Sequence, residues 1–379
     1  MNIFRRLPLS RLLALCGAVL VIGISLTALA LATGSGPTPP AKPLAQAVHD
    51  ALAGPSVQGF SAEVKLTNNL LEGANLAAGG QGGSGSGGGE VASNPLLTGA
   101  SGRLWVASDG RVRLELQSAK GDTQIIYDGK TAELFDASTN TLYRYTPSST
   151  SGWSGYAPLK SHAKTGQPAN GAHESPSVAK IEEAIADAKK HAVISGATPT
   201  DVGGKAAYTV RVSPNETGSL IAGADLSFDA GNGLPLRAAI YSTDSSSPVI
   251  ELATSSISYG PVSDSVFAFT PAPGAKIVDV KPPEGGGASR THSSSGQKPT
   301  VTSHGKGLSS VWVLEEKSSG KSSTSKSLEG LPKVNINGVS ASELKTALGT
   351  VLTFSRSGVS YVLAGAVAPK DIEALARGL

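Results

Sequence analysis

The stretch that decides the fold is residues 100–145, which read ASGRLWVASDGRVRLELQSAKGDTQIIYDGKTAELFDASTNTLYRY. It contains five short apolar-rich runs, which are Gly102–Ala107, Arg111–Leu116, Thr123–Tyr127, Thr131–Phe135 and Thr141–Tyr145. Turn-forming residues such as Asp109-Gly110 and Asp128-Gly129 separate them. Runs of this length with such breaks are typical of strands joined by hairpins. The stretch therefore predicts an antiparallel meander.

Side chains in the second run alternate strictly between apolar and charged. The apolar members are Val112, Leu114 and Leu116, and the charged members are Arg111, Arg113 and Glu115. Successive side chains of a strand point to opposite faces of the sheet. The meander is therefore predicted to have one apolar face and one polar face, and the cover of the apolar face becomes the functional question.

Further strands with the same alternation lie on both sides of this meander. They are Phe60–Leu66, Tyr208–Val212, Ala224–Phe228, Leu236–Ile240 and Ile250–Thr254. A short amphipathic helix is predicted over Leu44–Leu52. Residues 73–99 are dominated by Gly, Ala and Ser, so we expect a flexible loop there, although Leu96 and Leu97 could instead pack over the sheet. Residues 44–280 are thus predicted to form one large, curved, mostly antiparallel sheet with few helices.

Two segments are candidates to cover the apolar face. Residues 146–174 form a long polar loop that carries Trp153 and Tyr156, and loops of this length are often lids or binding loops. A helix beginning at Ser175-Pro176 and running to His191 is predicted next, with Ile181 and Ile185 in its apolar stripe. We expect that helix to pack on the sheet.

The C-terminal part is predicted to be a separate, small α+β unit. Residues 281–306 are rich in Pro, Gly and Ser and are expected to form a linker to residues 307–379. Within the unit, Ser340–Glu343 has the pattern of a capping box and predicts the start of a helix. A hairpin around Ser357-Gly358 and a final helix from Pro369 complete the predicted elements.

The N-terminal residues 1–33 form a targeting segment. Arg5, Arg6 and Arg11 precede an apolar run, Leu12–Ala32, of about the 20 residues that span a bilayer. Small residues at its end also fit a cleavage site, so the segment is either a signal peptide or a retained membrane anchor. Both alternatives place the rest of the chain outside the cytoplasm, either secreted or anchored to the outer face of the cytoplasmic membrane.

Composition and motifs argue against several functions. The formal net charge is +3, and it becomes zero once the three arginines of the N-terminal segment are removed, which argues against nucleic acid as a partner. Cys16, the only cysteine, lies in that segment. None of the six histidines has metal-ligand spacing, and no nucleophile elbow or phosphate loop is present. We therefore expect neither an enzyme nor a cofactor or metal site, and the apolar face remains the feature able to carry a function.

Several motifs in the right order resemble a known family. They are Gly102-Arg-Leu-Trp-Val106, Asp128-Gly-Lys-Thr131, Asp201-Val-Gly-Gly-Lys205, Phe228-Asp-Ala-Gly-Asn-Gly-Leu-Pro235 and Val266-Phe-Ala-Phe-Thr-Pro-Ala-Pro-Gly-Ala275. Residues 44–280 thereby resemble the LolA-type periplasmic lipoprotein carriers and the half-barrel of the RseB and MucB class of sigma-factor regulators. The segment Tyr361–Pro369 and the terminal helix are similar to the closing segment of that second class.

The resemblance implies an unclosed antiparallel β-barrel, capped by helices, whose concave apolar face binds acyl chains. One departure concerns the turn Ala107-Ser108-Asp109, where the carriers have an arginine that holds their lid shut. A freely diffusing lipoprotein shuttle is therefore disfavoured, whereas acyl binding is still expected.

Two functions from different classes follow. The first is an extracytoplasmic protein that binds a lipid or lipoprotein by its acyl chains. Its candidate binding residues are Leu66, Leu104, Val106, Val112, Leu114, Leu116, Val210, Val212, Leu226, Phe228 and Ile240, and its candidate lid residues are Trp153, Tyr156, Ile181 and Ile185. The alternative is an envelope-stress sensor that binds a membrane anti-sigma factor, which the small C-terminal unit favours. Each candidate could also be ordinary core, and an apolar face filled by other side chains would argue against the first function.

Overall fold

The computed structural model describes residues 36–71, 95–119, 121–146, 175–280, 300–317 and 331–379. The predicted targeting segment, most of the Gly-rich stretch and the lid candidates Trp153 and Tyr156 lie outside these residues. Two sheets organise the described part, one of thirteen strands and one of six.

The larger sheet is antiparallel except at one edge, where β13 pairs with β6 in parallel. Its strands are β1 (Gly59–Asn68), β2 (Ala100–Ala107), β3 (Val112–Ser118), β4 (Gly121–Tyr127), β5 (Ala132–Asp136), β6 (Thr141–Tyr145), β7 (Ala192–Ile194), β8 (Thr198–Val202), β9 (Lys205–Pro214), β10 (Ile221–Asp229), β11 (Pro235–Ser242), β12 (Pro248–Tyr259) and β13 (Lys276–Asp279). The meander β2–β6 is joined through β1 and β12 to β9–β11, so the sheet is unclosed, as predicted.

Three helices accompany this sheet. They are α1 (Leu44–Ala53), α2 (Pro95–Thr98) and α3 (Val178–Ala188). Alanines on α1 pack into a cluster with Tyr208 and Phe228, which places α1 on β9 and β10. The loop predicted for residues 95–99 is wrong in part, because α2 forms there and Leu96 packs against the core.

The predicted position of α3 is also corrected by the structure. Ser177 caps its N-terminus, so Pro176 precedes the helix instead of standing in its first turn. Ile181 is the one buried residue of α3, and the helix packs mainly against α1 and meets the large sheet only at its edge strand β7 among the stronger contacts. The single apolar stripe of a helix can pack against another helix or against a sheet face, and the sequence pattern does not distinguish the two.

The segment Pro261–Ala275, here called the strap, crosses the polar face of the meander. Arg113 Nη1 donates a hydrogen bond to the Val266 carbonyl at 2.8 Å. The rings of Phe135 and Phe269 lie 5.6 Å apart, and Phe267 is buried in a short 3₁₀ helix. The strap leads into β13, which forms the edge of the sheet beside β6.

The smaller sheet has its own core and one helix. Its strands are β14 (Thr300–His304), β15 (Val311–Lys317), β16 (Lys333–Ile336), β17 (Val339–Thr346), β18 (Gly349–Arg356) and β19 (Val359–Gly365), and its helix is α4 (Pro369–Arg377). β14 belongs to this sheet, so residues 300–304 of the predicted linker 281–306 form a strand that pairs with β15. Buried Val313, Leu352, Leu363 and Ile372 fill its core.

The capping-box prediction is wrong. Residues Ser340–Glu343 lie in β17, where Ala341 pairs with Val334 and Glu343 pairs with Leu352. A Ser-x-x-Glu pattern is a local signal, and the pairing of β17 with two neighbouring strands overrides it.

Candidate functional site

The register of the large sheet brings all eleven predicted binding residues to one face. Residues that are directly opposite in an antiparallel pair point to the same side of the sheet. Leu104 pairs with Leu114, Val106 with Val112 and Leu66 with Ala100. Across β12 and β11 the same side continues through Leu252, Ala238 and Ile240 to Leu226, Val210, Ala224 and Val212. We call this side the apolar face and the opposite side the polar face.

The apolar face is neither filled nor fully open. Leu116, Val212 and Phe228 are buried, at 1%, 4% and 8% exposure. The remaining eight predicted residues are partly exposed: Leu66, Leu104, Val106, Val112, Leu114, Val210, Leu226 and Ile240. Other side chains therefore do not fill the face at these eight positions. A filled face would have argued against acyl binding.

One row of apolar side chains crosses the face at right angles to the strands. In register it consists of Ile257, Ala62, Leu104, Leu114, Ile125, Leu134 and Tyr143. Ala62 is 5% exposed in the middle of the sheet, whereas Tyr143 is 41% exposed near its edge. From Leu104 to Tyr143 the row spans four strand spacings, about 19 Å.

Sequence reasoning placed Leu104 and Leu114 in the binding site and missed the other five members of this row, which are Ile257, Ala62, Ile125, Leu134 and Tyr143. Ile125 and Ile126 are both apolar, so alternation within β4 does not tell which of them faces which side. The pairing of Ile125 with Leu114 decides it, and Ile126 is buried on the polar face. The signal that could have found Leu134 was its alternation with Glu133 in β5.

A glycine allows strands β2 and β3 to approach closely on the apolar face. Gly102 lies on the apolar face opposite Leu116. A Cβ added at Gly102 would come within 1.7 Å of the Glu115 carbonyl oxygen. Strands β2 and β3 therefore approach too closely for any other residue at this position.

Helices cover only parts of the apolar face. α1 covers Tyr208, Val210 and Phe228 at one end. Leu96 of α2 packs on the central cluster that contains Val64 and Leu116. The predicted lid residue Ile181 is buried and Ile185 is partly exposed, and their helix packs mainly against α1 and β7.

The polar face carries a ladder of ion pairs across four strands. Arg237 Nε donates to Glu251 Oε2 at 2.8 Å, and Arg237 Nη1 lies 3.4 Å from Asp225 Oδ2. Arg211 stacks over the ring of Tyr241, whose hydroxyl donates to Asp225. Burial by itself lowers the pKa of Arg237, but the hydrogen bond to Tyr241 and the charge of Glu251 outweigh it and raise that pKa.

A polar groove of about 840 Å³ also lies on the polar face, the same side of the sheet as the ion pairs. Its charged lining residues are Glu63, Lys65, Arg103 and Glu115, two of each sign. A groove with this lining does not suit an alkyl chain, since burying unpaired charges is unfavourable. The apolar row on the other side is therefore the candidate site.

The turn that lacks the carriers' lid-locking arginine is held in another way. Arg111 Nε lies 2.8 Å from Asp109 Oδ2, and Arg111 Nη2 lies 2.6 Å from Asp264 Oδ1 on the strap. The guanidinium also lies 4.8 Å from the centre of the Phe267 ring. Arg111 thus joins the β2–β3 turn to the strap on the polar face, away from the apolar row.

Within the ranges that the structure describes, no helix has the length and apolar character needed to cross a membrane. The predicted anchor or signal peptide falls outside those ranges.

No protein-family model and no curated protein matches the sequence. Among solved structures, the chain is similar to MucB in its complex with MucA(peri), with 14% identity, a TM-score of 0.41 and coverage of 88% of this chain and 94% of that chain. The MucA/MucB complex of Pseudomonas aeruginosa gives 15% identity, a TM-score of 0.39 and the same coverage of 88% and 94%. A LolA superfamily protein from Nitrosomonas europaea gives 9% identity, a TM-score of 0.19 and coverage of 85% and 91%. MucB and a LolA superfamily protein are thus among the solved structures to which this chain is similar.

Proposed function

We propose that this protein binds the acyl chain of a lipid or lipoprotein along the row from Leu104 to Tyr143 on the apolar face. The observation that carries the proposal is the graded exposure of the apolar side chains from Ala62, which adjoins Leu104 and is buried, to Tyr143, which is exposed. A chain can enter such a row from the exposed edge of the sheet and extend towards the centre. In this proposal binding is non-catalytic and requires no cofactor.

The energetics of the row are adequate for reversible binding. Each buried methylene contributes about 0.8 kcal/mol, so about twelve methylenes laid along the row would contribute about 10 kcal/mol. Association and chain ordering oppose this gain. The result is an exchangeable complex, in which the lipid is a reversible ligand and not a permanent part of the structure.

The experiment compares two adjacent residues of β2 that face opposite sides. Leu104 lies on the apolar face and is partly exposed, whereas Arg103 lies on the polar face and is exposed. Native mass spectrometry of the protein purified from its own host should detect copurifying acyl species. We expect Leu104→Gln to reduce the lipid-bound fraction at least about fivefold, since it places an amide without a partner against the alkyl chain. Arg103→Gln should leave the fraction unchanged.

Thermal unfolding of both variants controls for loss of fold. The absence of acyl species from repeated preparations of the unmodified protein would refute the proposal. Equal loss of lipid in Leu104→Gln and Arg103→Gln, with both variants folded, would refute the assignment of the row.

We further propose that this binding takes place outside the cytoplasm, with the chain either secreted or anchored by its N-terminal segment. The positive charges before the apolar run support that orientation. The strands of an acyl-binding sheet would then meet lipids or lipoproteins at the cell envelope.

A second candidate function is binding of a membrane anti-sigma factor in an envelope-stress response. The small domain supports it, because it has a separate core around Val313 and Leu363 and is not needed to build the apolar face. Pull-down with a single-span anti-sigma factor is the test. Binding that is lost on deletion of residues 300–379 is expected for this function, and binding that is unchanged by the deletion would contradict it.

A further inference from the structure

A second row of apolar side chains runs beside the row from Leu104 to Tyr143 on the apolar face. Each of its members lies two residues along its strand from a member of that row, so the two rows are about 7 Å apart. In register the second row consists of Val106, Val112, Tyr127, Ala132 and Tyr145. We call the row from Leu104 to Tyr143 the first row.

Both rows are open over the same five strands, β2–β6. All five residues of the second row are partly exposed, and the five residues of the first row on these strands are partly or fully exposed. On β1 both rows become buried, since Phe60 pairs with Val106 and is 9% exposed, and Ala62 pairs with Leu104 and is 5% exposed. The open part of the apolar face is therefore two rows wide.

This open strip is bounded along both of its sides. Beside the first row lies a buried row that turns polar, which consists of Leu116, Thr123, Asp136 and Thr141. Beside the second row lie the β2–β3 and β4–β5 turns, at residues 108–111 and 128–131. Two rows at two residues each make the strip about 14 Å wide.

The width of the strip exceeds what one alkyl chain covers. Carbon atoms in contact lie about 4 Å apart, so a chain laid along the strip contacts side chains over a width of about 8 Å. A single chain would leave about half of the apolar strip exposed to water, whereas two parallel chains would cover both rows and also contact each other. The burial of apolar surface therefore favours two chains.

We propose that the strip holds two acyl chains side by side, one over each row, so that the ligand is a two-chain lipid. This inference rests on the proposed acyl binding and adds the class of ligand to it. The chemistry recognised is a pair of acyl chains joined at one polar head. A membrane phospholipid and a lipid-modified protein can both supply it.

The position of the polar head follows from a tyrosine in each row. Tyr143 and Tyr145 both lie on β6, one strand from the edge of the sheet that β13 forms. A tyrosine combines an apolar ring with a hydroxyl group and suits a boundary between alkyl chains and a polar head. The head therefore lies at this edge, and both chains point towards β1.

Lipid stoichiometry tests the inference. The full chain, stripped of copurified lipid, is incubated with a phosphatidylcholine or with the lysophosphatidylcholine that carries one chain of the same length. Native mass spectrometry then counts the lipids bound to each protein. We expect one two-chain lipid or two one-chain lipids per protein at saturation, because the two rows hold two chains in either case.

Substitutions in β2 and β3 assign the chains to the rows. Val112 of the second row and Leu114 of the first row are both partly exposed. Val112→Gln should reduce the bound two-chain lipid at least about fivefold and lower the count of one-chain lipids from two to one, since it places an amide without a partner against one chain. Leu114→Gln should have the same effect through the first row, and Arg103→Gln on the polar face should have none. Val106→Gln repeats the second-row test, and thermal unfolding confirms that each variant is folded.

The possible outcomes separate this inference from the proposed function. Saturation at one one-chain lipid per unmodified protein would overturn the inference, and so would folded Val112→Gln and Val106→Gln variants that keep the two-chain lipid. Either result would leave acyl binding intact, with a single chain between the rows. Binding of neither probe would refute acyl binding and this inference together. Solvent extraction of the protein from its own host identifies the source, because a lipid-modified protein retains its polypeptide and a phospholipid does not.

Discussion

At the scale of single residues, position along a strand decides whether a side chain contributes to binding or to the scaffold. Arg237 and Ala238 are neighbours in β11, yet Arg237 belongs to the ion-pair ladder and Ala238 lies on the apolar face. Asp225, at 8% exposure, is tolerated because Arg237 and Tyr241 both contact its carboxylate. Pairing of this kind stabilises a buried charge, whereas removal of one partner leaves the other uncompensated.

Glu343 in the small domain lacks such compensation. It pairs with the fully buried Leu352, and its Oε2 atom is buried without a hydrogen-bond partner in the part of the chain that the structure describes. Burial raises the pKa of this carboxyl group, and the nearby charge of Glu373 on α4 raises it further. The ionised form is therefore the less favourable one in the folded domain.

We predict that Glu343→Gln stabilises the small domain by about 1 kcal/mol at pH 7, because it removes a negative charge that burial and the charge of Glu373 disfavour. Because the folded-state pKa is raised, stability is highest below the unfolded pKa of about 4.3 and falls as the pH rises through the folded pKa. Hydrogen exchange of the β17 and β18 amides between pH 4 and 8 measures this. The exposed Glu316→Gln is the control, and a Glu343→Gln variant with the unmodified protein's pH dependence would contradict the prediction.

At the scale of elements, contacts made far along the chain decide what covers each face. Ser177 caps α3, but the stripe of α3 meets α1, with Ser175 Oγ donating to the Leu52 carbonyl at 3.1 Å. The strap has no regular periodicity, yet it covers the polar face of β3–β5 through Phe267 and Phe269. A sheet face is thus not always covered by the amphipathic helix that the sequence predicts.

We predict that Phe267→Ala destabilises the large domain by about 3 kcal/mol, as is typical when a buried Phe is truncated. Its ring is 4% exposed and lies under the Arg111 guanidinium, so the substitution removes both packing and a cation–π contact. Urea unfolding measures the change. Ile277→Ala on β13, at 50% exposure, should cost less than about 1 kcal/mol. Similar losses in the two variants would show that the strap does not hold the sheet.

At the scale of the whole molecule, two sheets with separate cores meet through loops. The Leu220 amide donates to the Ala366 carbonyl at 2.7 Å, and the Ala347 amide donates to the Leu70 carbonyl at 3.0 Å. A polar cavity of about 610 Å³ lies at this junction, lined by residues such as Asn69, Asp244 and Lys345.

The sequence by itself determined the strands of the meander and the side to which their residues point. The five predicted runs became β2–β6 with shifts of one or two residues at their ends, and all eleven predicted binding residues lie on one face. Alternation between apolar and polar residues is a local property, and a strand converts it directly into two faces.

Only the tertiary structure decided the rest, because it depends on pairing between distant segments. Register with Leu114 placed Ile125 on the apolar face, pairing with β16 and β18 made Ser340–Glu343 a strand, and β14 joined the small sheet. The exposure of the row from Leu104 to Tyr143 was also undetermined by the sequence. A pattern shows that a face is apolar, and the packing of α1 and Leu96 decides which part of it stays open.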